Sequence, residues 1–427
     1  MWKLINIGLL GLGTVATGVV EVLEKNQKNI EKKVGEAIKI KKILVRDINK
    51  KRNLPYNLPL TTKPEEILED SDIDIIVELI GGEEPALSYI KTALTNGKHV
   101  VTANKEIISK HGKILFGLAE KAGKNLLFEA SVGGGIPIIR PLKECLAANE
   151  IYEIMGIVNG TTNYILTEMT ERKKEFGQVL KDAQRLGYAE SDPSADIDGF
   201  DAARKLAILA SIGFNTRINP AEIYTEGIRN ITSKDILYAK ELGYVIKLLA
   251  VSRKRNGRIE ASVSPVFMPI KHPLAGVNDV YNAIMVTGYP VGRVMFFGRG
   301  AGKDPTSSAV VGDIIEIARN KNNCKNVLCT CFVEKPVINI GETESRFYLR
   351  LQVEDKPGVL AKIAGIFSNY NVSIHSVVQK SAEKATAELV LITHMVKEKN
   401  MKLALDEILS YSQTLEVSNV IRVEGDV

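Results

Sequence analysis

A carboxylate and a lysine stand where an apolar helix is predicted to begin. Lys205 follows Asp201 by four residues, and the run Leu206–Ala210 is apolar throughout. A helix that is apolar on every face is buried. Residues four apart share a face, where an acid preceding a base contributes about 0.3–0.5 kcal/mol. Burial also lowers the pKa of a lysine towards the range useful for proton transfer. The pair therefore predicts either a helix-end salt bridge or a proton-handling site.

A glycine-rich turn follows the first predicted strand. The turn consists of Gly11, Leu12, Gly13, Thr14 and Val15, with Ala16 next. In the pattern G-x-G-x-x-A, the first glycine allows a tight turn and the second lets the backbone approach a pyrophosphate. The small third residue permits close packing of the helix. Phosphate oxygens then face the N-terminus of that helix. Because the pattern lies between a strand and a helix, we expect it to bind a dinucleotide.

The end of the second predicted strand bears on which dinucleotide is bound. Asp47 is placed to bond the ribose hydroxyls, whereas Arg46 with the basic run Lys50–Arg52 is suited to a 2′-phosphate. The basic residues favour NADP, and NAD remains the alternative. Asp47 lies further along the chain than the roughly 20 residues usual after the glycines. The polar insert Lys25–Gly35 accounts for the extra length.

The chain as a whole predicts an α/β fold in three parts. Residues 1–130 alternate apolar strands with amphipathic helices, which indicates a Rossmann-type, doubly wound parallel sheet. A helix at about 304–320 is expected to return to this part. The predicted strands are Lys3–Leu10, Ile38–Val45, Ile73–Leu79, His99–Thr102 and Asn125–Ala130.

Residues 131–303 form the second predicted part, an α+β substrate and dimerisation domain. The strand-helix alternation breaks at Ser131–Pro137. Val251–Phe267 and Tyr281–Phe297 are rich in alternating β-branched residues, which predicts an open sheet. An open sheet is a surface on which two subunits can pair, so we hypothesise a homodimer or homotetramer.

Residues 346–427 form the third predicted part, with a βαββαβ order. A linker at Glu342–Ser345 precedes it. The predicted strands are Phe347–Val353, Val372–Val378, Thr386–Thr393 and Val420–Val423. The predicted helices are Val359–Tyr370 and Met401–Ser410.

The composition is that of a globular protein. The chain has 427 residues, 45% of them hydrophobic, and its 56 basic and 51 acidic residues give a net charge of +5. The spread of these charges favours small anionic ligands over nucleic acid. No apolar run reaches the roughly 18 residues of a membrane span, and we find no signal peptide. We expect a cytoplasmic protein that binds neither nucleic acid nor membranes.

Two further patterns are weaker. The cysteines at 324, 329 and 331 lack paired C-x-x-C units and lie in or near a strand-like run, Val327–Val333, so buried thiols are favoured over a metal site. Gly298–Lys303 resembles a phosphate-binding loop, but it is one residue short, and Asp304 stands where Ser or Thr is needed. We expect this loop to cover a bound ligand. The histidines match no metal or triad pattern.

The order of several motifs resembles that of the homoserine dehydrogenase family over about residues 1–320. The motifs are Gly11–Val15, Thr102–Lys105, Glu129–Pro137, Asn159–Asn163, Gly187–Glu190 and Asp196–Lys205. The tail, with Val353–Leu360, is similar to an ACT domain, a small amino-acid-sensing module. With no aspartate kinase domain in front, the resemblance is to the monofunctional form.

The resemblance implies reversible reduction of L-aspartate 4-semialdehyde to L-homoserine with NADP or NAD, a step in threonine, methionine and isoleucine biosynthesis. By the same resemblance, Lys205 donates and accepts the proton and Asp201 holds the substrate beside it. Lys105 is implied as a second essential lysine that contacts cofactor and substrate. Glu190, after the turn at Gly187, is implied to bind the substrate amino group. Asp196 and Asp192 are implied substrate contacts, with helix capping as the alternative for each.

The resemblance also implies cofactor and cation contacts. Thr14 and Val15 lie where the family's backbone meets the pyrophosphate, and Gly302 would approach the nicotinamide. The segment Glu129–Ile136, which we call the bend, resembles the family's structural sodium site, for which a turned backbone supplies oxygen ligands. Its implied ligands are a carboxylate of Glu129 and the carbonyls of Val132, Gly134 and Ile136.

The tail is implied to bind threonine as a feedback inhibitor. Asp355–Gly358 precedes a helix, whose free amides can receive a ligand carboxylate. The alternative is a domain that only dimerises. We expect deletion of residues 346–427 to leave activity intact and to remove any threonine response.

Two other functions remain open for the whole chain. An aspartate semialdehyde dehydrogenase would need an activated cysteine, for which Cys145 is the candidate without a supporting histidine motif. A non-catalytic dinucleotide and amino-acid sensor would have no need of the proton-handling residues.

Overall fold

The computed structural model describes residues 4–52, 58–320, 330–331, 333–381 and 385–425. The chain forms two compact units. Unit 1 comprises Met1–Ile154, Arg204–Pro220 and Asn282–Lys335, and unit 2 comprises Met155–Ala203, Ala221–Tyr281 and Pro336–Val427. Cys324, Cys329 and most of the predicted strand-like run at 327–333 lie outside the described residues. Cys331 is buried, as expected, and Cys145 is exposed.

The strands are numbered in chain order. They are β1 (Leu4–Leu10), β2 (Ala37–Leu44), β3 (Leu60–Thr61), β4 (Ile75–Glu78), β5 (His99–Thr102), β6 (Leu126–Leu127), β7 (Glu150–Ile157), β8 (Tyr224–Thr225), β9 (Tyr244–Arg255), β10 (Arg258–Pro269), β11 (Tyr281–Tyr289), β12 (Gly292–Arg299), β13 (Glu344–Glu354), β14 (Ile374–Ser381), β15 (Thr386–Thr393), β16 (Val396–Lys397) and β17 (Thr414–Val423).

The α-helices are numbered in the same way. They are α1 (Thr14–Lys25), α2 (Gln27–Val34), α3 (Glu65–Leu68), α4 (Ala86–Thr95), α5 (Lys105–Lys121), α6 (Gly160–Arg172), α7 (Phe176–Arg185), α8 (Ser194–Ile197), α9 (Phe200–Gly213), α10 (Ser233–Glu241), α11 (Lys303–Asn320), α12 (Val359–Asn369) and α13 (Glu398–Ser410). Short 3-10 turns lie at Glu129–Ser131, Pro220–Glu222, Pro273–Gly276 and Ile340–Glu342, and a π turn lies at Pro141–Cys145.

Unit 1 contains the predicted parallel sheet. Its strand order is β3-β2-β1-β4-β5-β6, and the paired strands run parallel. Strands β4 and β5 are buried at every residue, as expected of a parallel sheet covered on both faces. The Rossmann-type sheet is therefore confirmed. The last predicted strand is shorter than expected, because only Leu126–Leu127 pairs before the chain enters the turn at Glu129.

Helix α11 packs on α1 within unit 1. Gly18 makes this close approach possible, since a Cβ there would lie 2.9 Å from Lys303 Cγ and from Ser307 Oγ. Lys303 Nζ also pairs with Glu21 at 2.8 Å. The helix that follows the glycine loop therefore shares the core of the parallel sheet.

The remaining strands of unit 1 lie in the order β12-β11-β7. Several large apolar side chains are exposed on β7 and β12: Tyr152 (44%), Met295 (44%) and Phe297 (55%). The predicted segment 281–297 contains two strands, β11 and β12. The segment 251–267 likewise spans the turn between β9 and β10. Asn256 and Gly257 supply positive φ angles of 51° and 74° in that turn, as a tight hairpin requires.

Unit 2 contains the predicted βαββαβ module. Strands β13, β14, β15 and β17 with helices α12 and α13 form it, around the core that includes Phe367 and Leu351. Its sheet does not end at the module. Strand β17 pairs in parallel with β10, with Val266 opposite Arg422 and Phe267 opposite Val423, so the order is β9-β10-β17-β13-β15-β14.

Buried polar contacts also tie this module to α10 of the same unit. Asp235 on α10 is completely buried and accepts a hydrogen bond from Arg350 Nε at 2.9 Å. Tyr348 donates its hydroxyl to the same carboxylate oxygen at 3.2 Å. Deletion of residues 346–427 would remove β17, which pairs with β10, and Arg350, which neutralises Asp235. We therefore also expect the deletion to lower the stability of unit 2, and retention of activity after the deletion stays a prediction.

Candidate active site

The glycine turn in unit 1 has the shape that a dinucleotide pyrophosphate requires. Gly11 has a φ of +93°, and a Cβ there would lie 3.0 Å from the carbonyl oxygen of Leu79. The space around Gly13 is open, because a Cβ there would meet nothing within 4 Å. Helix α1 begins at Thr14 without a side-chain cap and without an acid in its first turn. Its first amides therefore face a space that fits an anion.

The turn after β2 presents Arg46 outward. Arg46 and Asp47 are exposed. The Asp47 carboxylate accepts a hydrogen bond from the amide of Asn49 at 2.8 Å. Arg52 folds back to donate to the carbonyls of Asp47 and Lys50, at 2.8 and 3.0 Å. Within the described part of the chain Arg46 makes no ion pair, so it is the better placed of these two arginines to receive a phosphate.

A buried glutamate organises the carboxyl ends of β4 and β5. Glu78 has no exposed surface, and its Oε2 accepts a 2.6 Å hydrogen bond from Thr102 Oγ1. Its Oε1 accepts hydrogen bonds from the amides of Ile80 and Gly81, at 2.8 and 3.2 Å. Sequence reasoning missed Glu78, although an acid at the end of an apolar strand is a signal that could have found it.

The same region fixes the start of α5. Asn104 caps the helix, since its Oδ1 accepts from the amide of Ile107 at 3.2 Å. Asn104 Nδ2 donates to the carbonyl of Gly82 at 2.7 Å, and its own amide donates to Thr102 Oγ1 at 3.0 Å. Lys105 is the first residue of α5 and is half-buried. Its backbone is therefore held at the edge of the sheet where ligands bind in folds of this type.

In unit 2, Asn159 brings two of the predicted substrate residues together. Its Nδ2 donates to Asp196 Oδ1 at 2.7 Å and to Asp201 Oδ2 at 2.8 Å. Its Oδ1 caps α6 by accepting from the amide and the hydroxyl of Thr162, both at 2.9 Å. Asn159 is buried. In the sequence Asn159 stands out only as part of a motif, and the motif does not predict this bridging role.

The predicted proton-handling pair lies on α9, which is buried as expected. Asp201 is 3% exposed and Lys205 is 8% exposed. The chain passes from unit 2 to unit 1 between them, within the helix. The acidic segment is not one continuous helix, because α8 ends before Gly199, whose φ is +87°. A turn at Gly199 thus separates Asp196 from Asp201.

The loop that carries Glu190 is held against α6 in unit 2. Thr161 Oγ1 donates to the carbonyl of Tyr188 at 2.8 Å, and the rings of Tyr188 and Tyr164 lie 4.8 Å apart. Gly187, with a φ of +78°, turns the chain into this loop. Glu190 is exposed, and in the described residues its carboxylate forms no hydrogen bond or ion pair. The carboxylate is thus available to a ligand.

Asp192 has a local role in the same loop. Its Oδ1 accepts from the amide of Ser194 at 3.1 Å and from the Ser194 hydroxyl at 2.6 Å. These hydrogen bonds hold the pKa of Asp192 below its ordinary value. The contacts fit the capping alternative for Asp192, since Ser194 begins α8.

The Glu129 carboxylate is occupied by backbone amides. Oε1 accepts from Ile138 and Ile139 at 2.6 and 2.7 Å, and Oε2 accepts from Arg140 at 2.8 Å. The amide of Glu129 donates to Asp313 at 2.8 Å. Burial, with the nearby Glu129, raises the pKa of Asp313 to about 7. Glu129 therefore fastens the bend, and its carboxylate has little capacity left for a cation.

The carbonyls of the bend fit a cation better. Gly133 and Gly134 have φ angles of +74° and +56°, which turn the backbone sharply. No hydrogen bond to the carbonyls of Val132, Gly134 or Ile136 occurs among the described residues. Those residues also contain no cluster of three or more His, Cys, Asp or Glu side chains that suits a metal. A sodium site built from carbonyls stays a prediction.

The predicted ligand cover precedes α11 in unit 1. Gly302 has a φ of +114° and opens that helix. Gly134 approaches the same loop, since a Cβ there would lie 2.5 Å from the carbonyl carbon of Gly300. A Cβ on Gly300 would overlap the side-chain amide of Asn282. The loop therefore depends on glycine for its path.

Three family models match successive parts of the chain. The family model for homoserine dehydrogenase matches residues 137–315, its NAD-binding domain matches 11–129, and the ACT domain model matches 347–412. A homoserine dehydrogenase from Synechocystis is 46% identical, over 98% of this chain and 99% of that protein. The chain belongs to the homoserine dehydrogenase family. A Bacillus subtilis member is 41% identical over 99% of both chains.

Solved structures of homoserine dehydrogenases share the fold. One from Thiobacillus denitrificans has a TM-score of 0.95 at 42% identity, covering 99% of both chains. A hyperthermophilic archaeal homoserine dehydrogenase in complex with NADPH has a TM-score of 0.63 at 30% identity, covering 75% of this chain and 98% of that one. Family membership makes the chain an oxidoreductase with a nicotinamide-cofactor domain. None of the helices described here is long and apolar enough to cross a membrane.

Proposed function

We propose that this chain interconverts L-aspartate 4-semialdehyde and L-homoserine with NADP or NAD. The observation that carries the proposal is that Asn159 holds the carboxylates of Asp196 and Asp201 together, with Asp201 one turn before Lys205 on the buried helix α9. The buried carboxylate of Asp201 gives the substrate a fixed partner, and the buried amine of Lys205, one turn later, carries the proton that the reaction moves. The nicotinamide cofactor supplies the hydride acceptor or donor.

Lys205 moves the proton in this proposal. In the reductive direction its ammonium gives a proton to the carbonyl oxygen as the alcohol forms, and in the oxidative direction its neutral amine takes that proton back. Asp201 balances the charge and orients the substrate. Lys105, at the start of α5, is assigned to contact with both ligands.

The remaining site residues bind the substrate. The exposed carboxylate of Glu190 is suited to the α-ammonium group, and Asp196 adds a second negative charge close to Asp201. Two negative groups favour a cationic amino group by simple electrostatics. On the cofactor side, the turn Gly11–Val15 and Gly302 receive the dinucleotide. Arg46 makes NADP the favoured form.

Regulation by threonine is proposed at the α12 N-terminus. A cavity of about 330 Å³ is lined there by Asp355, Lys356, Gly358 and Gln379 among others. Helix α12 has Gly358 at its start, with a φ of +90° and no side-chain cap, so its amides can hold a carboxylate. The cavity volume suits a single amino acid.

The proposal also covers the oligomeric state, a bound sodium ion and the cellular location. The exposed apolar side chains Tyr152, Met295 and Phe297 suit pairing of two copies through β7 and β12, giving a homodimer or, through a further interface, a homotetramer. The bend at Val132, Gly134 and Ile136 is proposed to hold a structural sodium ion. We assign the enzyme to the cytoplasm and to the biosynthesis of threonine, methionine and isoleucine.

Oxidation of homoserine, followed by the absorbance of the reduced cofactor, tests the proposal. The wild-type protein should turn over with NADP, and Lys205→Met should lose at least a hundredfold in kcat while it still binds the cofactor and unfolds at the same temperature. Arg204→Met, one residue earlier on α9, is the matched control and should retain activity. No turnover in the wild type, with cofactor binding intact, would identify a sensor instead of an enzyme.

A further inference from the structure

An arginine of the ACT module lies between two carboxylates of unit 2. Arg422, on β17, donates from Nε and Nη2 to the two oxygens of Glu398, both at 2.6 Å. Its Nη1 donates to Glu226 Oε2 at 2.7 Å. The side chain is only 13% exposed, and its guanidinium carbon lies 4.5 Å from the centre of the Tyr224 ring. We refer to Arg422, Glu398, Glu226 and Tyr224 as the Arg422 cluster.

Geometry makes this cluster rigid. The bidentate contact with Glu398 fixes the plane of the guanidinium and leaves Nη1 directed at Glu226. Tyr224 donates its hydroxyl to the same Glu226 oxygen at 3.0 Å. Glu226 is therefore held by Arg422 of the ACT module and by Tyr224, which lies two residues earlier on β8.

The segment that contains Glu226 is also held by backbone contacts. Strand β8, Tyr224–Thr225, is two residues long and pairs with β10. The amide of Glu226 donates to the carbonyl of Val263 on β10 at 2.8 Å. A strand this short contributes little stability of its own. The side-chain contacts of Glu226 therefore add to these backbone contacts, and Arg229 adds an ion pair with Asp198 next to the segment.

The same segment packs against the turn between the two substrate carboxylates. The amide of Ile228 donates to the carbonyl of Ile197 at 2.9 Å. Gly227 allows a close approach, since a Cβ there would lie 2.5 Å from Asp198 Cα. Gly199 is in contact as well, because a Cβ there would lie 3.0 Å from Thr225 Cγ2. The segment 224–228 and the turn 197–199 therefore fit together backbone to backbone.

We propose that Glu226, held by Arg422, is a positioning residue for substrate binding. It presses the segment 224–228 against the turn 197–199 and so sets where Asp196 and Asp201 stand on Asn159. The inference rests on the proposed function, because it takes these two aspartates as the substrate site. It adds that the C-terminal strand of the ACT module affects substrate affinity through the contact of Arg422 with Glu226.

Steady-state kinetics with homoserine and NADP test this role. Glu226→Ala should raise the KM for homoserine about tenfold, as expected for loss of a hydrogen bond to a charged group. It should change kcat less than threefold and leave the KM for NADP unaltered. Glu226→Gln keeps the shape and one acceptor oxygen and should restore most of the affinity. Arg422→Ala should raise the KM for homoserine similarly, and the double variant should show much less than the product of the two effects.

The control variant breaks a different ion pair, which also lies near the C-terminus. Glu424 pairs with Arg253 on β9, and Glu424→Ala should leave every kinetic constant unchanged. Circular dichroism and thermal unfolding show whether each variant folds, and Arg422→Lys, which keeps the charge, replaces Arg422→Ala if the latter does not fold. An unaltered KM for homoserine in folded Glu226→Ala overturns the inference and leaves the proposed function standing. An inactive wild-type protein overturns both.

Discussion

Replacement of Asn159 by serine tests the centre of the candidate site. Serine keeps an oxygen that can cap α6, but it removes the Nδ2 group that donates to Asp196 and Asp201. The two carboxylates then lose their shared donor and repel each other. We expect the fold to persist, since the cap is retained, and the substrate site to loosen.

The size of the effect follows from the two hydrogen bonds. Each has a charged acceptor and is worth about 1.5–3 kcal/mol. Loss of both is partly offset by water that reaches the half-buried Asp196. A net loss of about 3 kcal/mol corresponds to a fall of roughly two orders of magnitude in kcat/KM for homoserine.

The assay is the oxidation of homoserine, with the dissociation constant of NADPH measured separately by fluorescence. Thr162→Val is the matched control, because it removes the 2.9 Å contact of the Thr162 hydroxyl with Asn159 Oδ1 without touching either carboxylate. Its kcat/KM should fall less than threefold. If Asn159→Ser kept a wild-type kcat/KM, the two aspartates would not act as a substrate site that Asn159 positions.

Three further outcomes are expected. Burial lowers the pKa of Lys247 to about 8, whereas the unfolded lysine keeps its proton up to a pKa of about 10.5. The free energy of unfolding of the wild type, relative to that of Lys247→Met, should therefore rise by about 2–3 kcal/mol between pH 7 and pH 10. Urea unfolding measures this difference at both pH values, and a constant difference would contradict the prediction. Arg350→Ala should cost about 3–5 kcal/mol in the free energy of unfolding, because Asp235 is left buried without its cation, whereas Lys380→Ala, which breaks an exposed pair, should cost less than about 1 kcal/mol. Arg46→Ala should raise the KM for NADP about tenfold and leave the KM for NAD nearly unchanged, and equal changes in both constants would refute the assignment of Arg46 to the 2′-phosphate.

Much of the fold was predictable because its signals are local in sequence. The alternation of apolar strands and amphipathic helices predicted the parallel sheet, and the apolar run after Lys205 predicted the buried α9. The turn at Gly199 was not predicted, since a lone glycine among acids does not show whether a helix continues through it. The hairpin at Asn256–Gly257 carried a local signal that was overlooked.

The supports of the site were harder to predict, because they join residues distant in sequence. Asn159 reaches Asp196 and Asp201 from the position just before α6, and nothing in its own segment indicates that contact. Glu78 is satisfied by Thr102 on the neighbouring strand. Periodicity identifies which face of an element is buried, but it does not identify the partners of a buried polar group.

The pairing of β17 with β10 constrains how the protein is assembled during translation. Phe267 and Val266 leave the ribosome long before Val423 and Arg422, which they must pair with. Strand β8 pairs with Ser262 and Val263 of β10, but Val266 and Phe267 remain without their β17 partners until the end of synthesis, and unpaired strand edges of this kind favour aggregation. A nascent chain halted before β17 should need a chaperone that shields β10, whereas the parallel sheet of unit 1 can begin to form from its earliest strands.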